Sequence, residues 1–277
     1  YNVTTGALLH TLDNPNAYDT SYLDQFADSV AIDGNYAIVG APGEGDAGGS
    51  NSGKAYIFNV TTGALLHTLD NPNPYGTGTS DIFGYSVSIS GNYAIVGAYG
   101  EDDVGGSNSG KAYIYNVTTG LLLYTLDNPN PYGTSQTDNF GYSVAISDNY
   151  AIVGARFEDD AGGSDSGKAY IFELPFENYS TDYIIDYSND YSADYTSEYI
   201  QDYTPDYETL YEATYESVET EPTLLHTLDN PNAYDTSVDD QFGNSVAISG
   251  NYAIVGAWAE DDAGGSLSGK AYIFNVT

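Results

Sequence analysis

A unit of 57 residues repeats along this chain, and it restricts the folds that the chain can adopt. The peptide Leu-Asp-Asn-Pro-Asn begins at Leu12, Leu69 and Leu126, at intervals of 57 residues. The peptide Gly-Lys-Ala-Tyr keeps the same spacing and begins at Gly53, Gly110, Gly167 and Gly269. Its last interval is 102 residues, which equals one unit plus 45 inserted residues. A fixed repeat of this kind indicates a fold in which each unit packs against its neighbours.

Each unit contains four stretches with the alternation and the bounding turn residues of short β-strands. In one unit these stretches are Phe83–Ile89, Tyr93–Ala98, Lys111–Tyr115 and Leu121–Leu126. Gly and Asn between the first two stretches predict a tight hairpin, because both residues tolerate positive φ. Asn-Val-Thr-Thr-Gly predicts a second hairpin between the last two. Four such strands form one antiparallel sheet, which cannot bury itself alone.

Neither face of the predicted sheet is strongly polar. Phe83, Tyr85 and Val87 alternate with Gly84 and with serines, which are small rather than charged. Both faces are therefore suited to packing, and radial stacking of sheets covers both. The sequence predicts an all-β fold, a β-propeller of four-stranded antiparallel blades. The alternative, a β-solenoid, is typical of shorter repeats of about 20–30 residues.

The repeats divide residues 1–277 into one propeller domain with blades at 26–72, 83–129, 140–172 completed by 223–229, and 242–277 completed by 7–13. Both ends of the chain lie in the same predicted hairpin turn. We therefore predict that Ala7–Leu12 pairs with Lys270–Phe274. Pairing within one molecule closes a ring, whereas pairing between molecules forms a polymer.

The motifs of the unit resemble the FG-GAP repeat, the blade unit of integrin α-subunit propellers. Phe-Gly is followed by Gly-Ala in three units, which begin at Phe83, Phe140 and Phe242. The first unit departs from this pattern, with Phe26-Ala27 and then Gly40-Ala41-Pro42. The resemblance implies a propeller and an extracellular setting, and it implies no chemistry. The family's DxDxDG calcium loop does not carry over, because a short Gly-Asn-type turn occupies its place and cannot wrap a calcium ion.

Charge and composition exclude several classes of function. The formal net charge is −35 with only five basic residues, which argues against binding to nucleic acid or to anionic membrane surfaces. The absence of Cys indicates a fold that is stabilised by packing and repetition. The sequence shows no initiator Met, signal peptide or membrane-spanning run, and we expect a mature or excised segment. Four of the basic residues are repeat copies, and we expect each to pair with the acidic loop before it: Lys54, Lys111, Lys168 and Lys270.

The loops between the second and third strands are acidic and rich in Gly. Three of them begin with one Glu and two Asp residues: Glu101, Asp102, Asp103; Glu158, Asp159, Asp160; and Glu260, Asp261, Asp262. Adjacent carboxylates and Gly-rich backbone can supply oxygen ligands to a hard cation such as calcium. The alternative interpretation is an acidic loop tip that is only solvated.

Five Asn-x-Ser/Thr sequences occur, at Asn2, Asn59, Asn116, Asn178 and Asn275. All but Asn178 lie in the same predicted hairpin turn, from which an N-linked glycan can project. We therefore expect covalently attached carbohydrate if the source cell is eukaryotic. The alternative is that Asn, Thr and Gly occur there only as good turn formers.

Catalysis finds little support in the sequence. His10, His67 and His226 are copies of one repeat position, at which the remaining unit has Tyr124. Interchangeable His and Tyr indicate packing or edge hydrogen bonding, and no motif pairs a nucleophile with a base. We expect that the protein is not an enzyme.

A segment rich in Tyr and Asp, residues 173–222, interrupts the third unit. Its tyrosines recur at every fourth position: Tyr179, Tyr183, Tyr187, Tyr191, Tyr195, Tyr199, Tyr203, Tyr207, Tyr211 and Tyr215. A helix would wind such a row around its surface, whereas an extended chain places every Tyr on one side. We predict an extended arm that binds neighbouring subunits. The alternative is a disordered acidic loop.

Two functions fit these observations. The first is a structural subunit of an extracellular, glycosylated filament or surface appendage that assembles with copies of itself through the arm and the edge strands. The second is an extracellular adhesion or ligand-binding module, which the integrin resemblance suggests.

Overall fold

The computed structural model describes residues 1–15, 23–45, 49–72, 80–102, 106–129, 137–160, 163–175, 221–231, 238–261 and 265–276. These ranges contain β-strands and no helix. The strands of the first two blades are β1 (Val30–Asp33), β2 (Tyr36–Ala41), β3 (Lys54–Asn59), β4 (Leu65–Asp70), β5 (Ser86–Ser90), β6 (Tyr93–Ala98), β7 (Lys111–Asn116) and β8 (Leu122–Asp127). Those of the last two are β9 (Phe140–Ser147), β10 (Tyr150–Ala155), β11 (Lys168–Glu173), β12 (Thr223–Asp229), β13 (Phe242–Ser249), β14 (Tyr252–Ala257) and β15 (Lys270–Asn275).

The strands form four antiparallel sheets in chain order. The orders are β1-β2-β3-β4, β5-β6-β7-β8, β9-β10-β11-β12 and β13-β14-β15. We call these sheets blades 1 to 4. The predicted all-β fold of antiparallel, propeller-type blades is confirmed. Strands β11 and β12 of blade 3 pair with each other although residues 174–222 lie between them in the sequence.

Blades 2 and 3 each contribute side chains to two cores, because successive residues of a strand point to opposite faces. In β6, Ala94 and Val96 pack against blade 1, whereas Ile95 between them packs against blade 3. All three side chains are fully buried. Among the described residues, three of the four cores therefore lie between adjacent blades, and the fourth lies on blade 1 against Leu12 and Phe26.

The Phe-Gly pair brings the backbones of adjacent blades into contact. Gly84 has a φ of +89°, and a Cβ atom there would lie 2.2 Å from the backbone oxygen of Lys54 in blade 1. Glycine is therefore needed where one blade follows another. Residue Ala27 takes this place in blade 1 with a φ of 72°. No blade precedes blade 1 among the described residues, so the additional methyl group has room.

The predicted pairing of the two chain ends within one molecule is not found. Blade 4 has three strands, and β15 has no partner on its outer edge among the described residues. Residues Ala7–Leu12 instead lie beside blade 1, where the His10 ring is 3.0 Å from the Thr61 carbonyl oxygen. His67 of β4 makes the same contact to Thr118 of blade 2. The N-terminal segment thus takes the place that a fourth strand takes before the next blade.

Residues 176–220, which include every tyrosine of the predicted arm and Asn178, lie outside the described residues. The prediction of an extended arm therefore stays a prediction. Within the ranges that the model does describe, no helix has the length and apolar character needed to cross a membrane.

Candidate functional site

The first carboxylate of each acidic loop is buried beneath the loop. Its side chain accepts a hydrogen bond from the hydroxyl of the Tyr in Gly-Lys-Ala-Tyr, twelve residues later. The pairs are Glu44 and Tyr56 (2.6 Å), Glu101 and Tyr113 (2.5 Å), Glu158 and Tyr170 (2.5 Å), and Glu260 and Tyr272 (2.6 Å). Each of the four Glu side chains is 0% exposed. One interpretation of the sequence placed the acidic residues at a solvated loop tip. The structure shows that the first of them, the Glu, is instead in the interior.

Burial changes the acidity of two of these carboxyls. It raises the pKa of Glu101 and of Glu158 to about 8, against the smaller opposing effect of the hydrogen bonds from Tyr113 and Tyr170. In each carboxyl the second oxygen is buried and makes no hydrogen bond to any described residue. A proton on that oxygen removes the buried charge, so burial favours the neutral carboxylic acid in both groups.

The aspartates of the acidic loops hold the loops closed. Asp102, Asp159 and Asp261 each accept a hydrogen bond from the backbone N–H six residues later, at 2.9, 3.0 and 2.6 Å. Asp160 accepts one from the Gly163 N–H at 2.9 Å. In the described part of these loops, no three carboxylate or imidazole side chains converge as a metal site requires. Asp103 and Asp262 lie outside the described residues, and calcium binding stays a prediction.

The repeated lysines pair differently from the expectation. Lys54, Lys111 and Lys168 form ion pairs with Asp70, Asp127 and Asp229, which lie in the fourth strand. In blade 4 the expected partner, the preceding acidic loop, is found, since Lys270 Nζ lies 2.5 Å from Glu260. The register explains this difference, because Lys54 is directly opposite Asp70 in the β3–β4 pair and blade 4 has no such strand.

The asparagines of the hairpin turns stabilise those turns. The Asn59 side-chain oxygen accepts hydrogen bonds from the N–H groups of Thr61 and Thr62, both at 2.9 Å. Asn2 and Asn116 make the same contacts. This geometry accounts for Asn as a turn former and leaves the amide nitrogen, to which a glycan is attached, out of these hydrogen bonds. Glycosylation of these residues and of Asn275 stays a prediction.

Two apolar faces remain uncovered at the ends of the blade array. In blade 4, Ile254 is 41% and Ile273 is 74% exposed, whereas the equivalent isoleucines of blades 1 to 3 are fully buried. In blade 1, Val30 is 62% and Ile32 is 66% exposed, although their counterparts in blades 2 and 3 are buried by the preceding blade. We call these the blade 4 face and the blade 1 face.

The repeat pattern identified the acidic loops, the lysines and the turn asparagines, but it did not identify the residues that they contact. Each Glu–Tyr pair could have been suspected, because both residues recur in all four units at constant separation. The uncovered faces carry no sequence signal, because their residues match those of the covered faces.

Comparison with protein-family models agrees with the fold. The model of the FG-GAP repeat matches four times, over residues 16–58, 74–115, 131–172 and 232–274. Comparison with curated proteins gives no match. Among solved structures, the computationally designed Ika4 protein has a TM-score of 0.46 and 13% identity, with 98% of this chain and 99% of that chain covered. FG-GAP repeats are typical of extracellular and surface proteins. With four matches that cover more than half of its residues, the chain belongs to the FG-GAP repeat family.

Proposed function

We propose that this protein is a structural subunit of an extracellular filament or surface appendage, in which copies associate head to tail. The observation that carries the proposal is the pair of uncovered apolar faces at opposite ends of the blade array. Contacts between two different faces build a closed ring when the rotation between copies closes, and a filament when it does not.

The two faces complement each other because each internal interface already joins the same two surfaces. Between blades 1 and 2, Ile38 and Ile57 of one blade pack with Val87 and Ile89 of the next. The blade 4 face presents Ile254 and Ile273, the counterparts of Ile38 and Ile57. The blade 1 face presents Val30 and Ile32, the counterparts of Val87 and Ile89. Burial of these side chains would contribute roughly 1.5–3 kcal/mol each.

Head-to-tail association would also provide β15 with a fourth strand and Lys270 with a new ion-pair partner. Residues 2–15 have the same sequence as residues 59–72, which contain β4 and its preceding turn. On a second copy, Ala7–Leu12 can add to the open edge of β15 as a fourth strand. Asp13 would then lie opposite Lys270, as Asp70 lies opposite Lys54. Two copies thus complete one blade.

Ala27 limits how closely the copies approach. At the equivalent place in blade 4, a Cβ atom on Gly243 would lie 2.2 Å from the Lys168 backbone oxygen of blade 3. The backbone of a second copy packed on the blade 1 face must therefore lie roughly 1 Å farther from Ala27 than the Lys168 backbone lies from Gly243. We expect the contact between copies to be weaker than the internal contacts, so that assembly depends on concentration.

Other features support an extracellular structural role. The hairpin turns present Asn59 and Asn116 for N-linked carbohydrate, and the Tyr-rich segment offers a further contact between copies. We expect no enzymatic activity and, at a net charge of −35, no binding to nucleic acid. Adhesion to a ligand is the second candidate function, which the FG-GAP repeats suit.

Sedimentation velocity and electron microscopy of the full chain test the proposal. We expect concentration-dependent oligomers that grow into filaments. Ile273→Asp should abolish them, because it places a charge in the contact. Ala27→Gly should strengthen association, because it removes the methyl group that holds the copies apart.

Leu121→Asp is the matched control, because Leu121 is 65% exposed and belongs to neither end face. It should assemble like the unmodified protein. A chain that stays monomeric at millimolar concentration, or filaments that Ile273→Asp leaves intact, would overturn head-to-tail assembly through these faces.

A further inference from the structure

Two positions vary strongly between units that are otherwise close copies. The residue after Phe-Gly is Tyr85, Tyr142 or Asn244, with Asp28 in the first unit. The residue after Gly-Ala is Pro42, Tyr99, Arg156 or Trp258. Between them the sequence Tyr-Ala-Ile-Val-Gly-Ala is the same in every unit. Because four different side chains occupy one position, the blade fold does not require any of them.

Both variable positions lie at the same end of the blades. The first strand begins near the point where the second strand ends, as the pairing of Phe140 with Ala155 shows. The first strands of successive blades also contact one another. The varied side chains therefore gather at one end of these strands, where a ligand can touch several blades at once.

Four of these side chains form one cluster across blades 2 and 3, the tyrosine–arginine cluster of Tyr85, Tyr99, Tyr142 and Arg156. The three Tyr ring centroids are 4.7, 4.9 and 5.3 Å apart. The Tyr85 hydroxyl donates a hydrogen bond to the Tyr142 hydroxyl at 2.9 Å. The Arg156 guanidinium carbon lies 3.5 Å from the Tyr142 ring centroid. All four side chains are partly exposed.

Arg156 is positioned to bind an anion. It is the only arginine in a chain with 40 acidic residues, yet no carboxylate in the described ranges pairs with it. Its Nε atom is buried and has no hydrogen-bond partner in the part of the chain that the structure describes. A buried donor without a partner costs about 1–3 kcal/mol. Tyr142 and Phe157 stack on the guanidinium plane, and a carboxylate can bind the two terminal nitrogens through two parallel hydrogen bonds.

The surroundings of Arg156 favour a sugar acid over other carboxylates. Tyrosine rings pack against the C–H faces of sugars, and their hydroxyls bond to sugar hydroxyls. Trp258, at the equivalent position in blade 4, is 54% exposed, and its ring is fixed by a 2.6 Å hydrogen bond from Nε1 to Gln241. A polyanion would be repelled by the net charge of −35, so the ligand carries one carboxylate on a largely neutral molecule.

We propose that the tyrosine–arginine cluster is a binding site for a carboxylate-bearing sugar, with Arg156 holding the carboxylate and the tyrosine rings packing against the sugar ring. This site is independent of assembly through the end faces. It gives the protein a means of attaching to a largely neutral carbohydrate that carries a single carboxylate, as well as to copies of itself.

The test is a titration of the full chain with a trisaccharide that ends in glucuronate, and with the matched trisaccharide that ends in glucose. Trp258 is the only tryptophan, so its emission reports on this end of the blades, and calorimetry measures affinity independently. We expect the glucuronate sugar to bind at least tenfold more tightly. Arg156→Gln should abolish that difference, and Arg156→Lys should restore it only in part, because Lys cannot form the paired hydrogen bonds.

Arg156→Tyr is the control for folding, because Tyr99 occupies the same position in blade 2. It should keep the thermal stability of the unmodified protein while losing the preference for glucuronate. Equal binding of the two sugars, no saturable binding of either, or binding that survives Arg156→Gln would overturn the proposal. Tighter binding of a synthetic peptide of residues 181–196 through Arg156 would also overturn it, and would assign the site to the Tyr-rich segment of a second copy.

Discussion

The buried carboxyls of Glu101 and Glu158 should make this protein less stable as the pH rises. Their pKa is raised from 4.5 to about 8 in the folded state, so between these values the folded chain holds protons that the unfolded chain has released. The stabilisation that these two carboxyls contribute is therefore fully present below about pH 4.5, and it is lost as the pH rises towards and through 8. From pH 5 to pH 8 each carboxyl should lower the free energy of unfolding by roughly 3 kcal/mol. The loss is large beside a typical total of about 5–15 kcal/mol.

Glu101→Gln isolates this effect. Glutamine keeps an oxygen that accepts the hydrogen bond from the Tyr113 hydroxyl but cannot ionise, so the variant should lose roughly 3 kcal/mol less than the unmodified protein between pH 5 and pH 8. Urea unfolding followed by circular dichroism at several pH values measures the free energy of unfolding of the variant and of the unmodified protein. Glu158→Gln should behave in the same way, and the two effects should add.

Glu260→Gln is the matched control. Glu260 is equally buried but lies 2.5 Å from Lys270 Nζ, so its replacement removes an ion pair rather than a buried neutral acid. We expect it to destabilise the protein at pH 5 and at pH 8. If Glu101→Gln and the unmodified protein lose the same free energy over this range, Glu101 does not retain a proton in the folded state and the reasoning fails.

Three further predictions concern packing, modification and the Tyr-rich segment. Gly84→Ala should cost roughly 2–4 kcal/mol, because its Cβ would meet the Lys54 backbone oxygen, whereas Gly91→Asn, where a Cβ has open space, should be nearly neutral by urea unfolding. Protein from a eukaryotic source should exceed 29.5 kDa by intact mass and lose the excess on glycosidase treatment; an unchanged mass would refute glycosylation of the turn asparagines. Deleting residues 178–218 should leave a folded chain that forms filaments only at a higher concentration, because both end faces remain while the further contact is lost; filaments that form at the unchanged concentration would show that the segment is only a loop.

Strand positions followed closely from the repeat, because alternation and turn residues are local signals. The second strand, Tyr93–Ala98, was predicted with its observed bounds, and Lys111–Tyr115 was one residue short of β7. The first strand was predicted from Phe83, but β5 begins at Ser86. The equivalent strands β9 and β13 do begin at Phe, with a register shift beside their left-handed glycines that alternation alone does not show.

Contacts between distant residues were harder to predict. The acidic loop suggested solvent exposure, yet Glu101 is buried because Tyr113 lies beneath the loop and supplies a hydroxyl. Lys54 was assigned to the loop before it, although the strand register places it opposite Asp70. Arg156 gave no local signal, because its environment is formed by side chains from two blades. Local periodicity identifies the β-strands, whereas the contacts of a side chain depend on the strand register and on how the blades stack.

The location of the cores between blades has a consequence for how the length of this protein can change. Each internal interface joins the same two sets of residues, so a gene segment that encodes one 57-residue unit can be duplicated or deleted in frame without creating an unmatched contact. The new junction repeats one that the chain already forms, including the glycine at which two backbones meet. Copy number is therefore free to vary by unequal recombination between units, and the number of blades can evolve separately from the chemistry at their ends.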